Sequence, residues 1–180
     1  GAEADGRVGL GITQDFADNE LPSILHEFAG THPRVRIDLR VGRTVELSQE
    51  LSARRIDVLV AMRCAVEQDE VAVFRDPMRW LCATGGLVGS SRDELPLAVL
   101  DPPCGFRDAA LKALDATGLP YRIAATSPSL AGITAAVRGG VAVTVRTPRS
   151  IGNGIGIAAK KMALPRLPDA EFSVRTREGA

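Results

Sequence analysis

The sequence predicts an α/β chain folded as two lobes, on the strength of three features. Residues 34–41 alternate strictly between polar and apolar side chains. Residues 56–62 are apolar without a break after Asp57. The order strand–helix–strand occurs in the first half of the chain and again in the second. Alternation marks a strand with one polar face, and an unbroken run marks a strand buried on both faces. Strands separated by helices imply parallel pairing with right-handed crossovers.

Residues 8–12, an apolar run punctuated by Gly9 and Gly11, read as the first buried strand. Asp15 is placed to cap a helix running to about Gly30. Leu21, Ile24, Leu25 and Phe28 fall at i, i+3, i+4 and i+7 of it, and Gly30 with His32-Pro33 stops it. In the alternating strand, Val35, Ile37, Leu39 and Val41 share a face. Gly42-Arg43-Thr44 then turns the chain, with Thr44 as cap of a second helix to about Arg55 and Leu47 and Leu51 as its core pair. After the central strand at 56–62, residues 71–75 and 80–84 read as two more strands. Gly85, Gly86, Gly89 and Ser90-Ser91 form a loose passage into the second lobe.

The second lobe reads as a strand at 97–100, a loop at 101–105, a helix at 106–117 ended by Gly118, and a strand at 122–125. A further helix opens with Ser127 as N-cap and Pro128 at its first position, turns Ile133 and Val137 to the core, and ends at Gly139-Gly140. Residues 141–145 are another buried strand, 152–156 a flexible loop, and 171–177 a strand returning to the first lobe. The expected organisation is a linker or tag remnant at 1–6, a first lobe at 7–84, a second at 85–160, and a return strand with a truncated C-terminus at 161–180.

Composition narrows the function classes. The 22 basic and 22 acidic residues cancel, which argues against a nucleic-acid-binding surface on this chain, since phosphate contacts need clustered Lys and Arg. No stretch approaches the roughly 20 apolar residues that span a bilayer, and residues 1–6 do not read as a signal peptide. Cys64, Cys82 and Cys104 are odd in number, widely spaced and without metal-ligand spacing, so reduced thiols in a cytoplasmic protein are expected. No Ser/His/Asp, Cys/His or paired-carboxylate arrangement stands out, and His26 and His32 sit mid-helix and before a turn proline. The run 152–156 lacks the Lys-Ser/Thr of a phosphate loop. No catalytic residue, metal site or cofactor is expected. Two lobes joined by crossover strands make a hinge, and a small ligand would bind in the cleft at the carboxyl ends of strands.

An ordered set of residues carries a family resemblance over about residues 7–177. It comprises Leu21-Pro22, Phe28 and His32-Pro33, the Arg55-Ile56-Asp57 step, the stretch 106–111, the stretch 127–132, and the stretch 136–141. This set resembles the effector-binding domain of LysR-type transcriptional regulators. The resemblance implies a periplasmic-binding-protein-like (type 2) fold of two Rossmann-like subdomains. It implies a bacterial regulator that binds a small-molecule effector, assembles as a homodimer or homotetramer, and reaches DNA through an N-terminal winged helix-turn-helix outside this sequence. An extracytoplasmic solute-binding protein shares the fold and is the rival reading. An enzyme on the same scaffold is a second rival, and a thiol-based redox sensor acting through Cys104 a third.

Candidate effector contacts follow from the strand ends and helix starts. Thr13, Gln14 and Asp15 lie where the first strand meets the first helix; Asp15 either caps that helix or meets ligand. Arg43 and Thr44 open the second helix, and the resemblance implies that Thr44 contacts effector. Met62 and Arg63 end the third strand, where an arginine can pair bidentately with a carboxylate or phosphate. Cys104, Gly105 and Phe106 begin the first helix of the second lobe, and Thr126, Ser127 and Ser129 supply hydroxyls at the next. A cysteine before a helix N-terminus can be reactive, but no second cysteine follows Cys104 within that helix.

Overall fold

The computed structural model describes residues 6–89 and 93–177; residues 1–5 of the expected linker, the Ser90-Ser91 pair and residues 178–180 lie outside them. Its elements run β1 (Gly6–Thr13), α1 (Glu20–Thr31), β2 (Val35–Gly42), α2 (Thr44–Ser52), β3 (Val58–Met62), β4 (Glu70–Pro77), β5 (Arg79–Ala83), β6 (Leu95–Leu100), α3 (Gly105–Thr117), β7 (Tyr121–Ser127), α4 (Leu130–Arg138), β8 (Thr144–Arg146), β9 (Ile155–Ile157) and β10 (Asp169–Thr176). They form two compact units, Gly1–Arg75 with Glu171–Ala180, and Asp76–Ala170.

The first unit is a sheet of order β2-β1-β3-β10-β4. β1 pairs in parallel with β2 on one side and β3 on the other, and β10 runs antiparallel to β3. The strictly alternating strand therefore lies at an edge, and the unbroken apolar run lies inside the sheet. Leu47 and Leu51 of α2 pack with Ile56, Leu59 and Ala61. Phe172 stands opposite Met62, so it projects from the other face of the sheet than Leu59 and Ala61. There it meets Phe16 and Phe74.

Two glycines of β1 are explained by this packing. A Cβ on Gly9 would lie 2.9 Å from the backbone Cα of Ile56, and one on Gly11 would lie 2.4 Å from the Ile56 Cδ1 atom. The chain before β3 thus passes over β1 at a distance only glycine allows. Gly9→Ala should destabilise the protein by about 1–3 kcal/mol, because a backbone atom must move. Gly30→Ala, where the added Cβ meets nothing within 4 Å inside α1, should stabilise by roughly 0.4–1 kcal/mol. Urea unfolding of the two variants checks the opposite signs.

The second unit holds an antiparallel sheet β8-β5-β9 and a parallel pair β6-β7. A parallel bridge between Leu97 and Val143 sets the approach to β8 against β6. Ile133 and Val137 of α4 pack with Leu81, Ala98, Ala142 and Ile155. Because β5 bonds to β8 and β9, it belongs to this unit. The division falls at 75/76 and 170/171, before the passage expected at 84/85 and after that expected at 160/161. The return strand β10 pairs with β3 of the first unit.

Several local expectations are corrected. Asp15 does not cap α1: residues Gln14–Phe16 form a separate 3-10 turn, and α1 starts after Asn19 and runs through Gly30 to Thr31. Of the expected core face of α1, only Leu21 is buried, and Ile24 is half exposed. Thr44 is the first helical residue of α2; the extended residue before it, Arg43, holds the cap position. Ser129, not Ser127, caps α4, accepting from the Gly132 amide at 3.4 Å, and Pro128 stays outside the helix. Ser127 ends β7 and accepts from the Ser129 amide at 3.1 Å, forming the hydroxyl turn that leads into the cap. The loop at 152–156 also yields a short strand, since Ile155 and Gly156 pair with Ala83 and Cys82.

Candidate functional site

In the first unit the chain leaves β1 toward β2 and returns through α2 to β3 on the opposite side. That reversal is a topological switch point, and ligands of open α/β sheets bind beyond the carboxyl ends of the strands there. The register puts Thr13 beside Gly42, and Ile12 beside Val60. Thr13, Arg43-Thr44 and Met62-Arg63 therefore share one edge. The backbone N–H groups that open α2 lie at the same edge, with their partial positive charge.

Thr13 is 5% exposed, and its Oγ1 has no hydrogen-bond partner among the described residues. A buried hydroxyl of this kind costs free energy unless something bonds to it. Gln14 is half-buried and Asp15 buried. Arg43, Thr44 and Met62 are half-buried.

Arg63 is placed differently from its expected role. Its guanidinium already holds a bidentate pair with Glu70, at 2.8 and 3.1 Å, and reaches Glu171 at 3.3 Å. Arg75 adds a second cation on Glu171 at 2.5 Å. The Arg63 fork holds the carboxyl of Glu70 below its usual range, and Arg75 followed by Arg63 does the same for Glu171. The anion clamp read from the sequence is thus satisfied within the chain. It ties the end of β3 to β4 and β10.

In the second unit, the register sets Leu100 beside Ser127, and Leu97 beside Val143. The carboxyl ends of β6, β7 and β8 therefore also share an edge. Cys104 holds the cap position of α3 without a side-chain cap bond; Gly105 is exposed and Phe106 is buried. Thr126 is exposed, while Ser127 and Ser129 are half-buried around the start of α4. Cys82 is buried in β5, Cys64 is exposed, and none of the three cysteines is in a disulfide.

Two residues at this edge were not singled out from the sequence. Arg146, 4% exposed, stacks its guanidinium over the Phe106 ring at 4.0 Å, so Phe106 supports an arginine rather than lining open space. Thr147 is fully buried, and its Oγ1 has no hydrogen-bond partner among the described residues. The signal was available: Arg146 and Thr147 directly follow the buried strand read at 141–145, the same strand-end position that drew attention to Thr13. Among the described residues no group of three or more His, Cys, Asp or Glu could hold a metal ion. No helix among them is long and apolar enough to cross a membrane.

The family model of the LysR substrate binding domain matches residues 1–179. The HTH-type transcriptional regulator DgdR of Burkholderia cepacia is 32% identical over 176 residues, covering 97% of this chain and 59% of the relative. The HTH-type transcriptional regulator PecT of Dickeya dadantii (strain 3937) is 28% identical over 171 residues, covering 95% of this chain and 54% of the relative. The chain thus spans a little over half the length of these relatives. Among solved structures, the cofactor-binding domain of the Cbl transcriptional regulator superposes with a TM-score of 0.75 at 17% identity, over 99% of this chain and 83% of that one. The Synechocystis PCC6803 CcmR regulatory domain in complex with 2-PG gives a TM-score of 0.72 at 16% identity, over 98% and 89%. The fold is that of LysR regulatory domains, of the periplasmic-binding-protein type, and the chain belongs to the LysR substrate-binding domain family.

Proposed function

We propose that this chain is the effector-sensing part of a cytoplasmic, DNA-binding LysR-type regulator and that it binds its effector without turning it over. The observation that carries this reading is Thr13: a buried hydroxyl without a protein partner, at the carboxyl end of β1, where the strand order reverses. Gln14, Asp15, Arg43, Thr44 and Met62 surround it on the same edge, with Arg63 holding that edge in place through Glu70 and Glu171. Cys104, Gly105, Phe106, Thr126, Ser127 and Ser129 supply the corresponding edge of the second unit, with Thr147 as a further hydroxyl. The differential affinity of the effector for two arrangements of the protein would set the DNA-bound state.

Assembly with a second copy, as homodimer or homotetramer, is part of the same proposal. Ile24 of α1 and Leu39 and Val41 of the edge strand β2 are 50%, 43% and 48% exposed, apolar side chains that the described residues leave uncovered. DNA contact is assigned to a winged helix-turn-helix N-terminal to this domain, consistent with the even charge balance here.

A thermal-shift screen of a metabolite library on this chain identifies the effector. A true effector at a hundredfold its dissociation constant should stabilise by about 2.7 kcal/mol. Thr13→Val keeps the shape and removes the hydroxyl, so the protein should stay as stable or gain slightly, while effector affinity falls about tenfold or more. Unchanged affinity in that variant sinks the assignment, and turnover of any ligand by the purified chain sinks the non-enzymatic reading.

A further inference from the structure

Within the second unit, away from the strand ends described above, β5 and the segment 157–169 enclose a groove of about 480 Å³. Trp80 and Met78, each 6% exposed, lie in its wall with Leu164, Pro165 and Leu167. The wall is held by main-chain bonds. The Ala158 amide donates to the Trp80 carbonyl at 2.8 Å, and the Met78 amide to the Pro168 carbonyl at 3.3 Å. The Trp80 indole N–H is committed to the Pro165 carbonyl at 2.8 Å. What Trp80 can offer a ligand is therefore the apolar ring surface and not a donor.

Charge around the groove is one-sided. Arg79 of β5 and Lys160 and Arg166 of the segment 157–169 line it, against a single acid, Asp169. All three cations are exposed. Among the described residues, neither Lys160 nor Arg166 makes an ion pair. Among the same residues Arg79 makes a single bond, from its Nη1 to the Met78 carbonyl at 3.0 Å. An open groove of this size, lined partly by apolar side chains and rimmed by cations, suits a drug-sized molecule with one or two negative charges. The groove uses none of the residues proposed for the effector, so it stands independently of that reading. Both chain crossings between the units, 75/76 and 170/171, lie one residue along the chain from its wall residues Pro77 and Asp169.

We infer that this groove is a second small-molecule site, selective for an organic anion with an apolar body, such as an aromatic or short aliphatic carboxylate or sulfonate. Trp80, the only tryptophan, is a built-in reporter. Titration of the chain with 1-anilinonaphthalene-8-sulfonate at low ionic strength should quench Trp80 emission saturably, with one dye per chain. The neutral analogue N-phenyl-1-naphthylamine should bind about tenfold more weakly or worse. Lys160→Glu with Arg166→Glu should weaken the sulfonate by about tenfold or more while near-ultraviolet circular dichroism stays unchanged, and Thr13→Val should leave it unaffected. High salt should weaken the sulfonate on the unaltered chain as well, which carries the test if the double variant does not fold. Equal affinity for the two dyes, salt-independent binding, or loss of binding in Thr13→Val overturns the inference. So does a concentration-dependent change of Trp80 emission without dye that tracks dimerisation in sedimentation, which assigns the groove to a second copy.

Discussion

Phe172→Ala should lower the stability of the protein by about 3–5 kcal/mol, the largest loss expected from any single truncation described here. Phe172 is fully buried. Its ring lies edge-on to Phe16 with centroids 4.9 Å apart, and stacked on Phe74 at 5.4 Å. Phe16 and Phe74 meet edge-on at 5.8 Å, so the three rings form a closed cluster. They come from the 3-10 turn that follows β1 and from β4 and β10, whose backbones are fixed by the sheet. That cluster cannot collapse into the space left by a ring, so the cavity cost adds to the lost transfer energy. In a protein of this length the loss corresponds to a drop in midpoint of roughly 6–20 °C. Phe172→Leu, which keeps most of the volume, should lose far less. An alanine variant within about 1 kcal/mol of the parent in urea unfolding would show that the cluster relaxes and that its packing is not what holds β10 to the sheet.

Asp57→Ala should cost about 2–3 kcal/mol, and its cost should depend on pH. The Asp57 carboxylate accepts from the Gly9 amide at 2.6 Å, and the Asp57 amide donates to the Gly9 carbonyl at 2.8 Å. On the other side it meets the Arg177 guanidinium, and the Arg177 amide donates to the Asp57 carbonyl at 3.0 Å. One residue thus pins the chain ahead of β3 to β1 and to the end of β10. The Gly9 amide, and after it Arg177, hold the carboxyl of Asp57 below its usual range. Arg177 is 35% exposed, so solvent screens the ion pair and most of the effect belongs to the Gly9 bond. A depressed folded value means that the stabilisation is fully present above the ordinary carboxylate pKa of about 3.9, and is lost as pH falls through the lower folded value. The gap between parent and Asp57→Ala should therefore be constant near neutrality and narrow only below about pH 4. Asp57→Asn keeps an acceptor for Gly9 and should recover part of the loss. A gap that stays constant from pH 7 down to the acid transition would remove the carboxylate from this account.

Much of the candidate site was legible because it follows a rule about strand ends. Thr13, Met62, Ser127 and Ser129 lie at or just beyond the carboxyl ends of parallel strands, and strand ends show in the sequence as the point where an apolar run stops. Applied evenly, the same rule reaches Arg146 and Thr147. The role of Arg63 was not legible. Its partners, Glu70 and Glu171, are 7 and 108 positions away, and only the pairing of β10 with β3 brings Glu171 within reach.

The sequence by itself determined the order of strands and helices apart from the short β9, the one polar face of β2, the interior character of β3, and the family, because periodicity and turn chemistry act over a few residues. Tertiary structure decided which residues those elements serve. Whether Asp15 and Ser127 cap a helix depended on where the next turn begins. Whether β5 belongs to the first or the second unit depended on partners at β8 and β9, far along the chain. Gly9, unremarkable in a strand pattern, became essential because Ile56, 47 positions later, crosses it at a distance that leaves no room for a side chain. The two buried threonine hydroxyls could be recognised only once every nearby donor and acceptor had a place, since a missing partner is a property of the folded surroundings and not of the residue.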